Sequence, residues 1–225
     1  MQPRTLSQET RENDVVIPTE HQDLHGELIV PSMAVGIVLF AHGSGSSRHS
    51  PRNQFVARAL REQGLGTLLF DLLTQREERD DYGYGHRRFN IELLAERLVS
   101  ATEWLTSQVT AGAVGYFGAS TGAAAALVAA AQESSRVSAV VSRGGRPDLA
   151  ADALLNVECP TLFLVGENDR EVIRLNERSF SRLRCEKEMQ LIPGATHLFE
   201  EPGALEKVSE RAAAWFTTHL STPAL

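Results

Sequence analysis

The chain has 225 residues, 22 Lys+Arg against 29 Asp+Glu, a net charge of −7, 42% hydrophobic residues and two cysteines. That apolar content excludes wholesale disorder, and a domain of this length buries roughly 70% of its unfolded surface without a disulfide or metal staple. The acidic excess disfavours nucleic acid and anionic membranes as main partners, because phosphate binding needs a basic face.

The first residues, MQPRTLSQETREND, carry no apolar core and do not read as a secretory signal. Residues 1–13 are therefore expected to be a polar, flexible leader, with a single domain over residues 14–221. The longest apolar runs, Met33 to His42 and Ala123 to Ala131, fall short of the ~18 residues a membrane span needs. Cys159 and Cys185 form no CxxC and read as reduced thiols, so a cytoplasmic location is expected.

Two short strands are predicted first, Val15 to Thr19 and Leu24 to Val30, before a strand–helix rhythm begins. The run from Gly36 to Gly43 is continuously apolar and β-branched, as a strand buried on both faces requires. Ser50-Pro51, an N-cap with proline at N1, opens a helix that Gly64-Leu65-Gly66 ends, and Thr67 to Leu72 is the next strand. A polar stretch from Thr74 to Arg88 crosses the surface, as a flexible rim or a solvated connector, before a helix carrying Ile91, Leu94, Leu98 and Leu105. Strands at Ala113 to Phe117, Val137 to Arg143, Thr161 to Gly166 and Lys187 to Pro193 then alternate with helices, the last carrying Val208, Ala212 and Phe216. This alternation specifies an α/β fold with a mostly parallel sheet covered on both faces. Ligands bind such sheets beyond the carboxyl ends of the strands, so the loops that follow strands carry the chemistry.

One of those loops is Gly118-Ala119-Ser120-Thr121-Gly122, a G-x-S-x-G between a strand and an alanine-rich helix. This is the context of a nucleophile elbow: a tight turn projects the Ser120 hydroxyl while Gly118 and Gly122 make room for crossing backbone. A serine hydroxyl needs a base and an orienting acid, in the chain order Ser, Asp, His for this fold. Asp169 follows the fifth of the buried strands and His197 the sixth, so both reach the edge where Ser120 stands. Glu167, Glu171 and Asp148 compete for the acid role. Backbone N–H groups of Thr121 and Ser44 are the expected oxyanion donors. His42 reads as a loop brace, and none of the other histidines joins a metal constellation. Arg143 and Arg146 could hold an anionic group of the substrate, or brace their loop against Asp148 and Asp152.

The segments AHGSGSSRHSPRN, LLFDLLT, GYFGASTGAAAA, VSRGGRPDLA, LVGENDREV and IPGATHLFEEPG, in this order over residues 14–220, resemble the dienelactone hydrolase family of the α/β-hydrolase superfamily. Within it they are similar to the branch found alone or fused to phosphoribosyltransferase domains. The resemblance implies a cap-poor, cofactor-free esterase or lactonase and supports Ser120, Asp169 and His197 as its triad. One departure stands out: dienelactone hydrolase proper uses a cysteine where this chain has Ser120. The expected activity is hydrolysis of a small ester, lactone or thioester through an acyl-enzyme, and the contrasting reading is a non-catalytic binding module that keeps the elbow for structure alone. The interval Arg143 to Cys159, 17 residues, leaves no room for a large cap.

Overall fold

A computed structural model describes residues 11–109 and 112–221. Its centre is an eight-stranded sheet in the order β1-β2-β4-β3-β5-β6-β7-β8. The hairpin β1 (Arg11–Pro18) and β2 (Asp23–Val30) is antiparallel, and β2 meets β4 (Gly66–Phe70) antiparallel. All other pairings, through β3 (Gly36–Ala41), β5 (Ala113–Ala119), β6 (Val137–Arg143), β7 (Thr161–Gly166) and β8 (Lys187–Ile192), are parallel. The first strand thus starts at Arg11, inside the stretch expected as leader, because its backbone pairs with Val30. Residues 1–10 of that leader lie outside the described residues.

Helices α1 (Pro51–Glu62) and α6 (Ala204–Leu220) cover one face, burying Val56, Leu60, Val208 and Phe216 against Val38, Phe40 and Val141. On the other face, α3 (Ile91–Gln108) and α4 (Thr121–Gln132) pack Leu94, Leu98 and the alanines of α4 against Leu39, Tyr116 and Val140. Small side chains let α4 lie close on the sheet, and it is buried on every side from Thr121 to Ala130. Helix α5 (Arg170–Arg182) covers the β7 end of that face, where Phe180 meets Phe163 edge-on. Ser50 accepts the Asn53 N–H at the start of α1, as the Ser-Pro signal predicts.

Two differences from the sequence expectation bear on the site. The polar stretch after β4 contains a short helix, α2 (Gln75–Asp80), closed by a reciprocal capping box between Thr74 and Glu77. The segment after β6, where a short helix is expected around Leu149 to Leu155, is a 3₁₀ run over Pro147–Asn156 kinked at Ala151. Because β3 and β5 to β8 are parallel, their following loops all gather at one edge.

Candidate active site

Ser120 sits between β5 and α4 at φ 51°, ψ −120°, a conformation that strains a non-glycine residue by roughly 1–3 kcal/mol. Its backbone is pinned: the N–H donates to the Arg143 carbonyl, and its own carbonyl accepts from Ala123 and Arg146 N–H groups. The side chain makes no capping bond to α4, so the turn does not exist to cap a helix with serine. A Cβ on Gly118 would stand 2.4 Å from Ala123 Cα, and one on Gly122 2.1 Å from the Ala41 carbonyl oxygen. Only glycine permits these crossings.

Asp169, after β7, and His197, after β8, are joined by a hydrogen bond of 2.7 Å from His197 Nδ1–H to Asp169 Oδ2. The carboxylate is largely buried, with 15% exposure, while the imidazole keeps 39%. Asp169 is also spared from capping α5, which leaves its oxygens for the imidazole. The loop carrying His197 is fastened by Glu167, whose carboxylate accepts the Gly194 N–H, and by Asn168, whose amide donates to the Gly194 carbonyl. Glu167 is thus engaged with the backbone of this loop, while the imidazole bonds Asp169. Asp148 is engaged by Arg146, which grips it through Nε and Nη2 at 2.9 and 2.8 Å. Ser120 and His197 flank the Arg143–Gly144 segment, since a Cβ on Gly144 would lie 3.7 Å from His197 Cε1. Among the described residues no hydrogen bond joins the Ser120 hydroxyl to His197. Such catalytic bonds are often long before substrate binds.

The expected oxyanion donors differ in state. Thr121 N–H has no partner among the described residues, whereas Ser44 N–H donates to Thr121 Oγ1 at 2.9 Å. Ser44 N–H is therefore not the open donor that the glycine-rich loop led us to expect; a neighbouring hydroxyl occupies it. His42 braces this loop. Its Nδ1–H donates to the Gly43 carbonyl, and its Nε2 accepts the Leu72 N–H. Burial pushes the imidazole below its ordinary pKa, and that neutral form suits a ring that donates at one nitrogen and accepts at the other.

A cleft of about 570 Å³ opens beside this loop, lined by Gly43, Ser44 and Arg52 together with Leu72, Leu73 and Leu94. Its rim is the α2 segment, with Tyr82 projecting at 83% exposure. The rim is anchored rather than a solvated connector. Arg97 of α3 grips Glu77 through both terminal nitrogens and also donates to the Leu72 carbonyl. Asp81 accepts the N–H groups of Arg87 and Arg88 and the Arg88 Nε.

Arg143 and Arg146 part company. Arg146 is spent on Asp148, the loop-bracing alternative. Arg143 is 8% exposed, its Nε and Nη1 find no acceptor among the described residues, and its guanidinium lies 5.9 Å from the Phe199 ring centroid. Burial, reinforced by the charge of Arg52, pushes its pKa down to about 10. Arg52, unmarked in the sequence reading, bonds Glu200 through Nη1 while its Nε is buried without an acceptor. Nothing in the spacing of Arg52 and Arg143, 91 positions apart, signals that the charge of one acts on the other. Among the described residues no three His, Cys, Asp or Glu side chains gather so as to hold a metal ion. No helix among them is long and apolar enough to cross a membrane.

This elbow at the edge of a mostly parallel sheet defines an α/β-hydrolase, and the family described as an alpha/beta hydrolase domain matches residues 34–219. The crystal structure of a dienelactone hydrolase from Anabaena variabilis is 54% identical, with a TM-score of 0.91 over 93% of this chain and 98% of that one. The chain belongs to the dienelactone hydrolase family of α/β-hydrolases. Two curated Mycobacterium tuberculosis proteins, provisionally named phosphoribosyl transferases, are 52% identical over 95% of this chain. The chain spans about half their length, 48%, which fits the branch fused to phosphoribosyltransferase domains. Est1E from Butyrivibrio proteoclasticus, 16% identical with a TM-score of 0.77 over 93% of this chain and 99% of that one, shares the fold.

Proposed function

We propose that the protein is a serine hydrolase that cleaves a small ester, lactone or thioester through an acyl-enzyme on Ser120. The observation that carries this reading is the His197–Asp169 hydrogen bond at the sheet edge where the strained Ser120 turn stands. Ser120 Oγ attacks the carbonyl carbon, and its proton passes to His197 Nε2. Asp169 holds the tautomer with Nδ1–H and stabilises the imidazolium. The tetrahedral intermediate collapses, the bond to the leaving oxygen or sulfur breaks, and His197 returns the proton to that atom. Water then adds to the acyl carbonyl, gives its proton to His197, and Ser120 leaves with a proton regained.

The cleft beside Ser44 suits a compact acyl or alcohol group against Leu72, Leu73 and Leu94. Arg143, with Arg52 beside it, is the place for an anionic group, because their unpaired donors call for an acceptor. Arg146 has no such role while Asp148 fills its fork. A second reading, a non-catalytic binding module, draws on the missing bond between Ser120 Oγ and His197.

The deciding experiment treats the protein with a fluorophosphonate probe and assays short p-nitrophenyl esters, lactones and thioesters beside Ser120→Ala. We expect covalent labelling at Ser120 and loss of turnover in the variant. Unlabelled protein without activity on the whole panel supports the binding module, and turnover surviving in Ser120→Ala overturns the serine mechanism.

A further inference from the structure

The peptide between Gly43 and Ser44 is locked at both ends. Its carbonyl accepts from His42 Nδ1–H at 3.0 Å and from Ser46 N–H at 3.1 Å, while its N–H donates to Thr121 Oγ1 at 2.9 Å. Ser44 N–H cannot swing toward a substrate without giving up this set of bonds. The hydroxyl it serves, however, has a proton of its own. A threonine inside a helix usually spends that proton on the carbonyl one turn earlier, but Thr121 is the first residue of α4 and the residue four positions before it, Phe117, belongs to β5. Among the described residues nothing accepts from the Thr121 hydroxyl, and the Thr121 N–H beside it is equally unpaired. Two free donors thus sit on the residue next to Ser120, at a site 4% exposed.

We infer that Thr121 supplies both oxyanion donors, its N–H and its Oγ–H, and that Ser44 N–H acts through the hydroxyl as a positioning group. The inference rests on Ser120 being the nucleophile. The hydroxyl only donates a hydrogen bond, so no proton changes owner. Accepting from Ser44 fixes the rotor and polarises the O–H, which strengthens the bond it gives. Preorganised donation of this kind stabilises charge that develops in the transition state more than it stabilises bound substrate.

The alternative is that substrate displaces the hydroxyl and Ser44 N–H meets the oxyanion directly. The two arrangements predict opposite outcomes for Thr121→Val, which keeps the branched shape and removes the hydroxyl. Direct Thr121 donation predicts that kcat for a short p-nitrophenyl ester falls roughly 10²-fold with KM held within about threefold. Inhibition by a trifluoromethyl ketone, whose Ser120 adduct carries an oxyanion, should weaken by a similar factor. Thr121→Ser, which keeps a hydroxyl, should lose roughly tenfold less kcat than Thr121→Val. Thr121→Ala makes the same comparison should the valine variant fail to fold. An unchanged or higher kcat in the hydroxyl-free variants overturns the proposal in favour of Ser44. Equal losses in Thr121→Ser and Thr121→Val overturn it too, since activity then does not follow the hydroxyl. Fluorophosphonate labelling of Ser120 in every Thr121 variant separates this from the nucleophile assignment; if wild-type Ser120 is not labelled, that assignment falls and takes the proposal with it.

Discussion

In Arg143 a cost in stability goes together with the anion-binding role proposed for it. Its guanidinium is buried beside a second cation, Arg52, and two of its nitrogens have no acceptor. Desolvating a charge without a partner is expensive, so an apolar replacement of similar length should stabilise the fold. We expect Arg143→Met to raise Tm by roughly 2–4 °C, the shift that about 1 kcal/mol produces in a chain of this size. The same variant should raise KM for esters bearing a carboxylate and leave neutral isosteres of equal shape unaffected. Thermal denaturation and a paired substrate series measure both. A lower Tm together with unchanged discrimination shows Arg143 to be a packing element against Phe199.

At the scale of an element, the cleft rim depends on one buried ion pair. Burial alone raises the pKa of Glu77, yet the Arg97 guanidinium and the Thr74 N–H outweigh it and hold the carboxyl down at about 2, against an ordinary 4.5. A depressed carboxyl stabilises the folded state above its unfolded value, so this contribution is complete above about pH 4.5 and is lost as pH falls toward 2. Glu77→Gln should flatten the acid limb of stability against pH in that window. At neutral pH it should cost roughly 3 kcal/mol, because Arg97 stays buried without its counter-charge. Urea midpoints measured from pH 7 down to pH 3 test both statements, and a variant with the wild-type acid limb removes the pair from the account. The capping box falls in a stretch expected as a polar connector, although Thr74-Gln75-Arg76-Glu77 has the T-x-x-E spacing, and its partner Arg97 lies in another helix, 20 positions on from Glu77. The same division holds across the site. Local rules expose Gly118, Ser120 and Gly122, and chain order with strand ends exposes Asp169 and His197. The Ser44–Thr121 bond and the Arg52–Arg143 approach join residues far apart in sequence, and no periodicity or turn chemistry registers such meetings. Arg146 and Asp148, two positions apart, left both outcomes open until the geometry of the fork favoured bracing.

For the whole molecule, the two apolar clusters lie on opposite faces of one sheet and share its central strands. On β3, Val38 and Phe40 enter one cluster while Ile37 and Leu39 enter the other; on β5, Phe117 and Tyr116 divide in the same way. Loss of either layer of helices would expose a full face of strands that the other layer cannot hold alone. We therefore expect residues 14–221 to unfold as one domain, with the calorimetric enthalpy close to the van't Hoff value. For a chain of 225 residues the heat-capacity change should be about 3 kcal/mol/K, from roughly 12–15 cal/mol/K per residue. The antiparallel hairpin β1–β2 is the element that could depart from this behaviour, since it joins the sheet only through β4. Ile17, Leu24 and Leu28 nevertheless enter the same cluster as Leu94 and Leu98 of α3, which ties the hairpin to the helical layer. Differential scanning calorimetry, with hydrogen exchange followed separately in the hairpin and in β5, tests the coupling. A single transition with matching protection in both supports one cooperative unit; two resolved transitions, or early exchange across β2, divide the chain at the β2–β4 junction.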